Sequence, residues 1–187
     1  MSALRIAIVG PESCGKSTLA ADLAQALQRC GVAVAVVPEF ARDYYATRAY
    51  APTPADIFAI AHGQLAAEAA LAEQVQVQVL LCDSTVLTCR IWAEVAFGVA
   101  EPALLALNRP QDYTLTLLAA ADIPWQYDPL RSHPEQRDWL FGLYRAALDA
   151  AAVDYRVLAG SRQQRLAAVW PALRGLLPQL PVFCATG

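Results

Sequence analysis

A glycine-rich segment near the start of the chain carries the clearest chemistry. It reads Gly10-Pro11-Glu12-Ser13-Cys14-Gly15-Lys16-Ser17 and fits the phosphate-binding pattern G-x-x-x-x-G-K-S/T, the P-loop. Its glycines let the backbone curve around an anion, and the positive end of the next helix faces the same cavity. Lys16 would reach the β- and γ-phosphates, and the Ser17 hydroxyl would bind Mg²⁺. The alternative is a glycine turn that binds nothing.

Lysine usage supports the phosphate site. Of the 14 Lys and Arg residues, Lys16 alone is a lysine, and a compact ammonium fits between phosphates better than a planar guanidinium. We therefore predict a nucleoside-triphosphate site. Its phosphate contacts are expected from Gly10, Glu12, Ser13, Cys14, Gly15, Lys16, Ser17 and Thr18.

Asp83 is the candidate metal ligand that accompanies Ser17. It follows the apolar run Leu80-Leu81-Cys82, as a Walker-B acid follows a strand, and would lie opposite the Ser17 hydroxyl on Mg²⁺. The alternative is that Asp83 caps the helix that begins near Thr85.

Glu39 is the candidate general base or substrate clamp. It follows a β-branched run and precedes Phe40-Ala41-Arg42-Asp43. A carboxylate beside the γ-phosphate can take the proton of an acceptor hydroxyl, with Asp83 next in line for that role. Arg42 and Asp43 could bind polar groups of the acceptor. The alternative is a local ion pair between Glu39 and Arg42.

A loop over residues 122–131, rich in proline, aromatic and charged residues, is predicted to act as a lid. Arg131, and Arg137 on the next helix, could stabilise the charge on the transferred phosphoryl group while water is excluded. For both arginines the alternative is a solvated helix face. Trp125 and Tyr127 could stack on a substrate ring, although closing the core is the favoured interpretation.

Predicted strands alternate with predicted helices along the chain. The strands are expected at residues 4–9, 32–37, 75–82, 113–118 and 155–158; the helices at 16–30, 53–74, 85–97, 102–107, 134–151 and 161–177. This order predicts an α/β, P-loop NTPase fold with a five-stranded parallel sheet, helices on both faces and the ligand at the carboxyl ends of the strands. We expect a single domain over residues 1–187 with a lid at about 122–145. Residues 178–187 could add a short strand or fray.

Composition excludes several classes of function. The net charge of -3 and pI near 5.3 argue against nucleic-acid binding, which needs a basic face. No signal peptide or membrane span is recognisable. The five cysteines (Cys14, Cys30, Cys82, Cys89 and Cys184) form no C-x-x-C pair, so reduced thiols in a cytoplasm are expected. Modification of Cys14 should block nucleotide binding, and His62 and His133 are expected at the surface.

Taken together, the motifs resemble the ribosylnicotinamide kinase domain of the NadR type. The resemblance spans nearly the whole chain and rests on the glycine loop, Pro38-Glu39-Phe40-Ala41-Arg42-Asp43-Tyr44, Gly63-Gln64, Asp83-Ser84-Thr85 with Thr88 and Trp92, and Asp122-Ile123-Pro124-Trp125 with Asp128 and Arg131. It implies phosphorylation of the 5′-hydroxyl of nicotinamide riboside by ATP and Mg²⁺, with Trp92, Trp125 and Asp128 among the substrate-binding residues.

Two departures from the family qualify this resemblance. Relatives often carry a second acid where this chain has Thr85, and we expect this sequence to lack the adenylyltransferase domain that is fused in some relatives. The acceptor and the oligomeric state stay open. Two other functions also stay open: a nucleotide-driven switch or ATPase, and a regulatory module that binds a nucleotide without small-molecule kinase activity.

Overall fold

The computed structural model describes residues 3–74, 76–129, 131 and 133–183. Five strands lie within these residues: Leu4–Val9 (β1), Val34–Val37 (β2), Val79–Asp83 (β3), Leu115–Ala119 (β4) and Tyr155–Leu158 (β5). The α-helices described are Lys16–Arg29 (α1), Phe40–Tyr45 (α2), Pro54–Ala72 (α3), Val86–Phe97 (α4), Pro102–Leu107 (α5), Arg137–Ala150 (α6) and Arg162–Leu176 (α7). None of these helices is long and apolar enough to cross a membrane.

The strands form one parallel sheet in the order β2-β3-β1-β4-β5. β1 is central, with Ile8 opposite Asp83 of β3 and Val9 opposite Leu118 of β4. β3 and β4 lie on opposite sides of β1, so the strand order reverses at β1. Open α/β sheets bind ligands in the crevice at the carboxyl end of the strands at such a reversal. The predicted five-stranded parallel sheet is confirmed.

Helices cover both faces of the sheet, as predicted. On one face, Leu23 of α1 and Trp170 of α7 pack with Ile6 and Ile8 of β1 in the largest apolar cluster. On the other face, α4 and α6 pack on the alternate residues of β1 and β4, and α3 packs on β2 and β3. Because successive side chains of a strand point to opposite faces, β1 contributes residues to the apolar clusters on both faces of the sheet.

Some local predictions differ from the structure. The second strand was expected at residues 32–37 but covers only Val34–Val37; of these four residues only Val37 is buried, because β2 is an edge strand. The short helix α2 was not predicted. The third strand begins at Val79, later than expected, and Val75 lies outside the described residues. Residues 178–183 form no strand, while residues 184–187, including Cys184, are outside the description.

The middle of helix α3 packs against α2. Its start is fixed by a capping box, in which the Thr53 hydroxyl accepts from the backbone N of Asp56, and by Pro54 at the first position. A glycine inside a helix normally weakens it. At Gly63, however, an added Cβ would lie 2.1 Å from the ring of Phe40. The glycine therefore allows α2 to approach closely.

We expect Gly63→Ala to destabilise the fold by about 1–3 kcal/mol, because the new methyl group must displace a packed aromatic ring. The matched control is Gly142→Ala in α6, where an added Cβ meets nothing within 4 Å. It should stabilise the protein by about 0.5–1 kcal/mol through helix propensity alone. Denaturant unfolding measures both changes, and equal effects of the two substitutions would contradict the packing role of Gly63.

Candidate active site

The P-loop follows β1 and lines a cavity of about 200 Å³ at the carboxyl end of this strand. Gly10, Ser13 and Gly15 have φ values of 142°, 53° and 84°, which aim successive amides inward. A Cβ at Gly10 would lie 2.6 Å from the carbonyl oxygen of Ala119, so a larger residue does not fit. All eight residues predicted to hold phosphate line this cavity: Gly10, Glu12, Ser13, Cys14, Gly15, Lys16, Ser17 and Thr18.

The Lys16 ammonium lies inside the loop. Its Nζ donates to the carbonyl oxygens of Gly10 at 3.1 Å and Pro11 at 2.9 Å. Burial opposes its charge, but the Cys14 sulfur and the carboxylate of Glu39 outweigh burial and raise the pKa of Lys16. The side chain is therefore protonated at neutral pH and supplies a fixed positive charge next to the loop amides.

Arg165 supports the P-loop from behind and was missed by sequence reasoning. Its side chain is buried, and its guanidinium donates to the carbonyl oxygens of Cys14 at 2.6 Å, Ala120 at 3.1 Å and Gly160 at 3.1 Å. It also forms an ion pair with Asp122. No local motif marks this arginine, because its partners come from three other parts of the chain.

Glu39 lies between two cavities. It lines the P-loop cavity together with Arg42 and Arg131, and it also lines a second cavity of about 180 Å³. Burial and the charge of Asp83 raise the pKa of Glu39, although Lys16 and Arg42 oppose this. A carboxylate with a raised pKa in this position is suited to accept a proton from a hydroxyl group that lies at the junction.

The second cavity is mostly apolar and aromatic. Trp92 lines both cavities, as does Thr88; Tyr45 and Tyr50 line only the second one. The Tyr45 hydroxyl is buried without a hydrogen-bond partner among the described residues, and burial raises its pKa to about 12. It is therefore a neutral hydrogen-bonding group in an apolar wall.

Asp83 does not cap helix α4. The Thr85 hydroxyl takes that role by accepting from the backbone N of Leu87 at 3.3 Å, whereas Oδ1 of Asp83 is buried without a partner among the described residues. Asp83 is also the last residue of β3, which pairs with β1, and the P-loop directly follows β1. A buried carboxylate oxygen without a partner is suited to bind Mg²⁺, but Asp83 is not among the residues that line the P-loop cavity with Ser17. The described residues contain no group of three or more His, Cys, Asp or Glu side chains that could hold a metal.

The predicted lid segment contacts the P-loop directly. The backbone N of Gln126 donates to Ser13 Oγ at 2.9 Å, and the backbone N of His133 donates to Glu12 Oε1 at 2.6 Å. Arg131 lines the P-loop cavity and donates to the carbonyl oxygen of Gln126 at 2.7 Å. Leu130, within the same segment, lies outside the described residues.

Arg42 joins the lid to the segment after β2. Its guanidinium lies 3.5 Å from Glu39 Oε2 and 2.9 Å from Asp128 Oδ2. The ion pair between Glu39 and Arg42, which was the alternative for Glu39, is therefore present. Arg42 also pairs with Asp128 of the lid. Asp43 is exposed and lines neither of these two cavities.

Several other predicted residues occupy unexpected places. Arg137 does not line the P-loop cavity; it donates to the carbonyl oxygens of Ser13 and Ile123 at 3.2 and 2.8 Å, so it holds the lid. Tyr127 is 79 % exposed, which excludes a role in the core. Trp125, half-buried, contacts Tyr127 edge-on and belongs to none of the core clusters.

Histidine and cysteine positions also refine the sequence interpretation. His62 is exposed, as expected, but His133 is half-buried, lines the second cavity and lies 5.2 Å from the Trp92 ring. Cys14 is fully buried, and burial raises its pKa. Both features disfavour chemical modification of this thiol in the folded protein.

Comparison with solved structures supports the fold. The crystal structure of NadR protein in complex with NAD and AMP-PNP matches with a TM-score of 0.70 and 16 % identity, covering 99 % of this chain and 52 % of that one. The NadR complex with NR gives 0.68 and 18 %, covering 85 % and 44 %. This chain thus spans about half the length of the NadR chains. The P-loop NTPase fold and the resemblance to NadR structures are confirmed.

A deoxyadenosine kinase from M.mycoides with bound products also matches, with a TM-score of 0.56 and 15 % identity, covering 91 % of this chain and 99 % of that one. This chain therefore shares its fold with this solved kinase. A search of curated protein sequences finds no match. Residues 5–165 match the model of a protein family described as AAA domain. Since the matched stretch is most of its length, the chain belongs to this AAA domain family.

Proposed function

We propose that this protein transfers the γ-phosphoryl group of ATP to the 5′-hydroxyl of nicotinamide riboside or a similar nucleoside. The observation that carries the proposal is the position of Glu39, which lines both the P-loop cavity and the adjoining aromatic cavity. Donor phosphates in the first cavity and an acceptor in the second would meet at this carboxylate. Phosphoryl transfer depends mainly on such positioning and on charge stabilisation.

The second cavity favours an uncharged acceptor over a phosphorylated one. Among the described residues that line it, Glu39 and His133 are the only ionisable groups besides tyrosines and a cysteine, and none is Arg or Lys. A nucleoside monophosphate carries a dianion that a protein normally pairs with arginine or lysine. The aromatic walls formed by Tyr45, Tyr50 and Trp92 suit a flat ring. A nucleoside with a free 5′-hydroxyl satisfies both conditions.

The basic groups of the P-loop cavity would act on the donor. Lys16 and the inward amides of the loop would bind the terminal phosphates, and Arg131 lines the same cavity from the lid. As charge spreads over the transferred group, these donors would stabilise it. Ser17 and Asp83 would hold a Mg²⁺ ion, which would supply positive charge that neutralises part of the phosphate charge.

Glu39 would then activate the acceptor. Its carboxylate would accept the hydroxyl proton as the oxygen attacks, and Arg42 would orient it through the ion pair observed at 3.5 Å. The contacts of Gln126 and His133 with the P-loop would hold the lid over the reacting groups. Excluding water from this site matters because hydrolysis would compete with transfer.

Fewer observations support nicotinamide riboside as the acceptor than support nucleosides as a class. It is supported by the motifs quoted above and by the likeness to NadR structures, one of which is a complex with NR. The likeness to a deoxyadenosine kinase keeps deoxyribonucleosides among the candidates. Few pocket residues separate such substrates, so the fold does not choose between them.

We expect ADP release by the purified protein, with ATP and Mg²⁺, to rise at least tenfold with nicotinamide riboside or another single nucleoside. The measurement is a coupled ADP assay with nicotinamide riboside, the ribonucleosides, the deoxyribonucleosides and the corresponding 5′-monophosphates. Monophosphates should be poor acceptors because the second cavity offers them no arginine or lysine. ADP release that no nucleoside stimulates would contradict the proposal and favour a switch or a nucleotide-binding module.

Replacing Lys16 with alanine should abolish nucleotide binding or turnover, because the loop loses its fixed positive charge. Calorimetric titration with ATP and the coupled assay measure the two effects. Arg29→Ala, which removes an exposed charge in the last turn of α1, is the matched control and should leave both unchanged. Normal ADP production by the Lys16→Ala protein would refute the phosphate site.

Replacing Glu39 with glutamine should lower kcat by roughly 10²- to 10⁴-fold, because an amide cannot accept the hydroxyl proton. Affinity for ATP should be largely retained. Since burial raises the pKa of Glu39, the wild-type rate should fall as pH falls through a value above the ordinary glutamate pKa of about 4.3. A pH–rate profile detects this limb, which should vanish in the variant; a near-normal rate would move the base role elsewhere.

A further inference from the structure

Gln64 lies at the midpoint of α3, between the two strand ends that carry the acidic residues of the site. Its side chain is buried, with 3 % exposure. Its Oε1 accepts a hydrogen bond from the backbone N of Phe40 at 3.0 Å, and its Nε2 donates to the carbonyl oxygen of Ser84 at 3.4 Å. Phe40 directly follows Glu39, and Ser84 directly follows Asp83. One side chain therefore contacts the backbone next to both carboxylates.

We propose that Gln64 is a positioning residue, which holds Glu39 and Asp83 at a fixed separation during phosphoryl transfer. The inference rests on the kinase function proposed above and adds a role that the glycine loop and the lid do not supply. Its two hydrogen bonds connect these two segments directly.

On the Glu39 side, the bond satisfies a backbone donor at a helix start. Glu39 is the N-cap of α2 and makes no side-chain capping bond. The first amides of a helix need partners from outside it, and Gln64 provides one for Phe40. Because the cap is not supplied by Glu39 itself, its carboxylate can face the two cavities. The preceding residue, Gly63, admits the Phe40 ring to the same turn of α3.

On the Asp83 side, the bond holds a strained residue. Ser84 has a φ of 72°, a left-handed conformation that is unfavourable for a non-glycine residue. Its backbone N donates to the carbonyl oxygen of Ile8 at 3.0 Å, and its own carbonyl accepts from Gln64. The peptide after Asp83 is thus fixed from β1 on one side and from α3 on the other.

The geometry needs a neutral amide of this length. Glutamine offers one acceptor and two donor hydrogens on the same group, so it can bond to an N–H and a carbonyl at once. Methionine has a similar shape but offers neither strong bond, and ionised glutamate offers only the acceptor. Losing either contact should let the two acidic segments shift relative to each other. A misplacement of about 1 Å can cost roughly 10²-fold in rate.

The test compares Gln64→Met with Gln78→Met. Gln78 is the matched control, because its Oε1 also accepts from a backbone N, that of Ala33 at 3.0 Å, but at the amino ends of β2 and β3. With the acceptor that the wild-type protein uses, Gln64→Met should lower kcat roughly 10- to 100-fold while the KM for ATP and the affinity for ADP change less than about twofold. Gln78→Met should leave kcat within about twofold.

Two outcomes would overturn the inference. One is a kcat of Gln64→Met that equals that of Gln78→Met. The other is an unchanged kcat with a raised KM for the acceptor, which would mean that Gln64 binds the acceptor directly. If Gln64→Met does not bind ADP and is therefore unfolded, Gln64→Glu serves instead; it retains the bond to Phe40 and should still lose at least tenfold in kcat. A wild-type kcat in Gln64→Glu would also overturn the inference.

Failure of the proposed function would look different from failure of this inference. If the wild-type protein shows no acceptor-dependent ADP release, the kinase proposal falls and this inference falls with it. If the wild-type protein is active and only the Gln64 variants behave like the control, the kinase proposal stands and the positioning role is rejected.

Discussion

The approach of the P-loop to the end of β4 is the constraint on which the rest of the site depends. Gly10 lies so close to the Ala119 carbonyl that a side chain is excluded, and Arg165 fixes the far side of the loop through the Cys14 carbonyl. A loop held on both sides has inward amides that need no rearrangement when an anion binds. Such preorganised dipoles are more effective than dipoles that must first reorient.

Basic and acidic side chains alternate from the P-loop to the lid. Lys16 inside the loop faces Glu39, which pairs with Arg42, which in turn pairs with Asp128 of the lid. Each acidic group therefore has a basic neighbour, and the basic groups also reach the cavity where phosphates are proposed to bind. Arg42 is substantially exposed, so its pairing with Asp128 adds little stability of its own. Its effect is geometric, because it aligns the lid with the segment that carries the candidate base.

The sequence allowed the sheet, its connections and the P-loop to be predicted because these depend on local patterns. The predicted bounds of β1 and β5 agree with the structure, and Lys16 was identified from its motif. The helix α2 escaped prediction because it has six residues and none of them is buried, so it shows no periodicity. Arg165 escaped because most of its partners are distant in sequence. Gln64 belongs to the motifs quoted above, but its contacts with Phe40 and Ser84 could not be read from them. The alternative for Asp83 could be settled only in three dimensions, where Thr85 is seen to cap the helix.

The contacts between the lid and the P-loop use main-chain groups on the lid side. The amides of Gln126 and His133 donate to Ser13 and Glu12, and every residue type except proline has such an amide. Side chains at these lid positions can therefore diverge during evolution without loss of the contact. If the proposed kinase function holds, changes in the lid side chains could alter the choice of acceptor while the main-chain contacts between the lid and the P-loop are retained.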